Sequence, residues 1–121
     1  MNPEFDAIFA RLREILRQHA ERLTVADDTA TRYCLEGGSH PTHKKPMPIA
    51  WVQIGKAYVS FHHMGIYGNP KLLEGLSPGL KARMQGKSCF NFKTGDEALF
   101  RELEQLTAAG LAAFRKAGYM G

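Results

Sequence analysis

The sequence predicts an α+β fold: an antiparallel sheet of four or five strands, with the N- and C-terminal helices packed on one face and two short helices before the last strand. Three observations predict it. Apolar residues recur in steps of three and four at both ends of the chain. Between them lie β-branched and aromatic runs that alternate with polar residues. The strands cluster between the terminal helices instead of alternating with helices, which is the α+β pattern. The 121 residues fit a single domain, 1–121, long enough to bury a core without a disulfide or metal staple.

The first helix opens on Asn2 as N-cap and Pro3 as first helical residue. Its apolar stripe is Phe5, Ile8, Phe9, Leu12, Ile15, Leu16 and Leu23, and its end is expected near Arg22. Glu4, Asp6, Arg11, Arg13, Glu14, Arg17, Glu21 and Arg22 give the other face mixed signs, which suits solvent. Asp27, Asp28 and Thr29 read as a turn. Residues 31–35 read as a strand with Tyr33 and Leu35 on one side and Arg32 and Cys34 on the other. Residues 36–48, rich in Gly and Pro, read as a loop.

Residues 49–54 and 57–63 carry the best hairpin signal. Gly55-Lys56 fits a two-residue type II′ turn, with positive φ at Gly55. That turn opposes Ile54 to Ala57, Val52 to Val59 and Ala50 to Phe61 on a core face. It sets Gln53 against Tyr58, Trp51 against Ser60 and Ile49 against His62 on the other. Asn69-Pro70 and Ser77-Pro78 then start two short helices, stopped by Gly75 and Gly86; Leu80 and Met84 lie one turn apart in the second. Residues 87–92 read as a strand. Thr94 to Glu97 reads as a capping box, opening a long helix with Leu99, Leu103, Leu106, Ala113 and Phe114 on one stripe and Gly118 as its stop. Gly110 inside it costs about 1 kcal/mol relative to Ala, so close backbone packing or a bend is expected there.

The segment from Leu76 to Phe92, LSPGLKARMQGKSCFNF, is the most specific part of a stretch, residues 46–113, that resembles the YdhG-like family of small bacterial domains. The resemblance implies a frataxin-like architecture. Most members of that family have no assigned function, and some have been proposed as intracellular iron chaperones. Frataxins present acidic residues along the first helix and strand. Here Arg11, Arg13, Arg17 and Arg22 sit among the acids of the first helix, and Asp27-Asp28 is the only acidic pair near the first strand, a departure from that pattern.

The residues themselves carry no nucleophile triad, phosphate loop or metal cage, so no catalytic residue, no metal ligand and no cofactor is expected. Adjacent strand residues point to opposite faces, so His62 and His63 cannot both ligate one ion. His40 and His43 read as surface-loop residues. Cys34 and Cys89 make no spaced framework, which reads as free thiols in a cytoplasmic protein. Cys89 reads as a buried, inert cysteine or, beside Lys87, a reactive thiol. Sixteen Lys and Arg give a net charge of +4 but form no block, so a nucleic-acid partner is not expected. No apolar run reaches membrane length.

The candidate binding residues are Trp51, Tyr58 and His62 on the second hairpin face, extended by Lys87, Cys89 and Asn91 if the last strand pairs in matching orientation. Trp and Tyr are common interface anchors. The leading expectation is a non-enzymatic, chaperone-like binding module that takes a protein partner or small ligand on an open sheet face, with a homodimer through that face as another way of covering it. The alternative is a frataxin-like iron chaperone or other metal-binding protein.

Overall fold

The apolar stripe of the first helix becomes the centre of the core. Phe5, Ile8, Phe9, Leu12, Ile15 and Leu16 are all buried in the computed structural model, which describes residues 3–20, 23–39, 46–64, 70–85 and 89–116. The order is α1 (Pro3–Arg17), β1 (Thr24–Asp28), β2 (Arg32–Ser39), β3 (Pro46–Ile54), β4 (Val59–His63), a 3-10 helix (Pro70–Leu73), α2 (Pro78–Lys81), β5 (Cys89–Phe92) and α3 (Glu97–Lys116). The strands make one sheet in chain order, every neighbouring pair antiparallel. This is the predicted α+β class, with five strands.

Rows of cross-strand neighbours explain where the core sits. Tyr33, Val52, Phe61 and Phe90 form one row, and Ile54, Val59 and Phe92 another. Against this face pack α1, which contacts β3, β4 and α3, and α3, whose Phe100 meets Phe92 edge to face at 5.1 Å. Arg11 ties the helices together through Glu97 at 2.7 Å, and Gln18 donates to Glu104.

Several boundaries differ from the sequence expectation, each for a local reason. Helix α1 ends at Arg17, and its expected N-cap Asn2 and end Arg22 lie outside the described residues, as do Asn69, Gly86 and Gly118. Asp27 and Asp28 belong to β1, because Thr29 makes the turn: its Oγ1 accepts from the Thr31 and Arg32 amides. The expected 36–48 loop is shorter, since β2 runs to Ser39 and β3 starts at Pro46. Helix α2 stops at Lys81; Met84 instead bridges Phe90, and the Gln85 and Asn91 amides bond across to Cys89 and Arg83 carbonyls. Residues 83–85 thereby cover the β5 edge. The last helix is capped by Asp96, not by Thr94: Asp96 Oδ1 accepts from the Leu99 amide. Its buried stripe is Phe100, Leu103, Leu106, Thr107, Gly110 and Leu111; Leu99 and Ala113 lie at its margin, and the Phe114 side chain lies outside the described residues.

The hairpin slips relative to the II′ expectation. Ile54 faces Val59, Val52 faces Phe61, Ala50 faces His63, Trp51 faces His62 and Gln53 faces Ser60. The Gly55 amide donates to Tyr58 O at 2.8 Å, so Lys56 and Ala57 make the bend and Gly55 does not take positive φ. This register sets Phe61 level with Val52 and Phe90, so core packing outweighs the turn preference of glycine. A slip of two in the pairing keeps the other paired side chains on their expected faces, with two exceptions. Ala57, expected opposite Ile54 in the core, is exposed in the bend. Ile49 is the second. Leu35 pairs with Ala50 but Glu36 with Pro48, a bulge that leaves Ile49 unpaired and turns it into the core, fully buried.

Ser77 caps α2: its Oγ accepts from the Leu80 amide at 3.2 Å and donates to Glu102 at 2.6 Å, while its own amide donates to Glu102 at 2.7 Å. One carboxylate on α3 therefore positions the start of α2. Ser77→Ala should cost about 1–2 kcal/mol, read as a lowered urea midpoint; an unchanged midpoint would mean the cap contributes nothing to folding.

Candidate functional site

The sheet face away from the helices collects side chains in two rows. Asp27, Cys34, Trp51, His62 and Cys89 are successive cross-strand partners from β1 to β5. Arg32, Gln53, Ser60 and Asn91 form the next row. The period-2 alternation of each strand puts them there, since their neighbours Tyr33, Val52, Phe61 and Phe90 all point into the core.

Trp51 stacks on His62, with ring centroids 4.7 Å apart and planes 16° apart. The Arg32 guanidinium lies over the indole at 5.9 Å. Since β3 runs between β2 and β4, Arg32 reaches the indole from the β2 strand and His62 from the β4 strand. Both groups therefore already occupy ring surface of Trp51. A flat base-stacking platform needs a free face, so the arrangement does not suit unpaired nucleotides. Arg32 is itself held by Asp27 at 3.0 Å and by Gln53 at 2.8 Å.

Beyond His62, Cys89 Sγ lies 3.6 Å from His62 Nε2 and 3.5 Å from Asn91 Oδ1, and Asn91 Nδ2 donates to Gln85 at 2.6 Å. Burial pushes the Cys89 thiol up, and burial with the nearby Arg32 charge pushes His62 down. Both shifts favour a neutral thiol beside a neutral imidazole over a thiolate–imidazolium pair, which weakens the case for a nucleophilic cysteine. Cys34 is buried and its thiol pushed up by the same cause. Two strands separate it from Cys89, about 14 Å, too far for a disulfide.

Tyr58 sits apart from Trp51, at the hairpin end, and lines a groove of about 450 Å³ with Arg83, Met84, Gln85, Asn91 and Lys93. Trp51, His62, Cys89 and Asn91 come together, Tyr58 joins through Asn91, and Lys87 lies outside the described residues. Sequence reasoning left out Arg32 and Gln53, although alternation from Tyr33 and Val52 put both on this face. The cationic groove is not foreseeable from sequence, because the Leu80–Met84 spacing is helical while residues 83–85 lie along β5. His63 takes the opposite face and is buried in the core.

Among the described residues, no three His, Cys, Asp or Glu side chains converge on one point, and no helix is long and apolar enough to cross a membrane. The chain matches no family model, no curated protein and no solved structure, so the likeness of residues 46–113 to YdhG-like domains remains a reading of the sequence.

Proposed function

We propose that this protein is a non-enzymatic binding module that engages an acidic segment of a protein partner on its open sheet face. The observation that carries the reading is the Arg32–Trp51–His62 stack: a large, partly buried, pre-ordered aromatic group on the sheet face opposite the one that buries Tyr33, Val52, Phe61 and Phe90. A stacked indole loses little freedom on binding, which is how rigid aromatic anchors contribute at interfaces. The adjoining groove supports the acidic preference, for Arg83 and Lys93 line it and, among the described residues, no carboxylate does. A frataxin-like role in iron handling has less support, since the two acids of β1 are divided between a salt bridge and solvent.

The test compares native-lysate capture by wild type, Trp51→Ala and Val25→Ser, the last a change at an exposed site on β1. A specific protein should be held by wild type and Val25→Ser and depleted at least tenfold by Trp51→Ala, in a variant whose melting curve shows it folded. Identical capture by all three would defeat the reading. A monomer whose single tryptophan resists acrylamide quenching would defeat it too.

A further inference from the structure

We propose that Cys89 Sγ and His62 Nε2 form a two-donor site for a soft d10 cation of the zinc(II) or copper(I) class. The starting point is their separation of 3.6 Å. Zinc–sulfur and zinc–imidazole bonds of about 2.3 and 2.0–2.1 Å, set at a tetrahedral angle, place the two donors about 3.5 Å apart. Thiolate and imidazole are also the donor types that select such cations over magnesium or calcium.

The surroundings hold both donors in this geometry. His62 and Cys89 are cross-strand partners in the β4–β5 ladder, so the backbone sets their spacing. Trp51 stacks on the imidazole and limits its rotation. In the unloaded site the thiol donates to Asn91 Oδ1, 3.5 Å away and tied to Gln85, a bond that is given up when the sulfur takes the cation. Neutral imidazole is the ligating form. On binding, the Cys89 S–H bond breaks, its proton passes to solvent and the sulfur bonds the cation, while His62 carries its remaining proton on Nδ1. Two positions on the ion stay open toward solvent. Structural zinc sites close all four with protein ligands, so this site is an exchangeable one. It shares two residues with the proposed partner face but does not depend on a partner.

The test titrates zinc(II) alone into the purified full chain, by calorimetry in two buffers of different protonation enthalpy. Cobalt(II) follows as a spectroscopic stand-in. Expected are one zinc per chain, release of a proton, a thiolate-to-cobalt charge-transfer band and quenching of Trp51 by cobalt. Cys89→Ser, close to isosteric, and His62→Gln should each weaken binding at least tenfold, with Cys34→Ser unchanged. No binding by wild type would overturn the site. So would binding that survives Cys89→Ser, or that is lost only in His40→Ala or His43→Ala. None of these outcomes bears on partner capture, which Trp51→Ala reads separately.

Discussion

Gly110→Val is expected to destabilise the protein by about 3 kcal/mol or more, although valine has the better helix propensity. The cause is the contact between α3 and β4. A Cβ built at Gly110 would lie 2.8 Å from His63 Nε2 and 2.9 Å from its Cε1. His63 cannot retreat, because it is wholly buried and its Nε2–H donates to Thr107 O at 3.0 Å. A carbonyl only accepts, so this bond also fixes the proton on Nε2. Displacing the ring would break a buried hydrogen bond as well as overpack the core, terms of about 1–3 kcal/mol each. Gly110→Ala meets the same two atoms and should lose about 1 kcal/mol net, after the roughly 1 kcal/mol gained in helix propensity. In a His63→Ala background the obstacle is gone, and Gly110→Ala should then raise stability. Denaturant melts of the four chains read this change of sign, and a Gly110→Ala effect of one sign in both backgrounds would disprove the contact.

That contact shows what the sequence could and could not disclose. An interior glycine announced close packing or a bend, but its partner lay 47 positions earlier in the chain. The strands were legible because alternation names a face without naming a neighbour. Trp51 and His62 could therefore be assigned to one side, and Cys89 and Asn91 to a single face of their own strand, while the joining of those two faces and the 3.6 Å approach of His62 to Cys89 needed the β4–β5 register, which no local signal sets. Turn chemistry misled at Gly55, where the alignment of Phe61 with Val52 and Phe90 decided the pairing. Ile49 was assigned to the wrong face because one bulged residue breaks the period-2 rule, and nothing in its neighbours Pro48 and Ala50 marks the break. The caps at Ser77 and Asp96 were readable to within two residues, since a side chain acting on its own backbone is a local matter.

Acid is expected to weaken the fold through His63, and the sign follows from its burial. Enclosure in the core pushes His63 from an ordinary 6.5 down to about 4, against the smaller opposing pull of the Thr107 carbonyl. The His19 imidazole adds to the lowering. A histidine held neutral in the folded chain leaves the unfolded chain binding more protons below pH 6.5, so stability falls as pH falls and levels off once the folded ring also protonates near 4. The full loss across that window is roughly 3 kcal/mol, of which about 2 kcal/mol should appear between about pH 7 and pH 5. Glu97, whose carboxyl is held below its usual range by its hydrogen bond to Arg11, changes stability in the same direction as pH falls. His62, also lowered, adds a change of the same sign. His63→Leu replaces the ring with an apolar side chain that has no proton to bind, so its stability should vary between about pH 7 and pH 5 by about 2 kcal/mol less than that of wild type. Urea midpoints across this range measure the difference, and equal slopes for the two chains would mean that His63 is not the group that titrates.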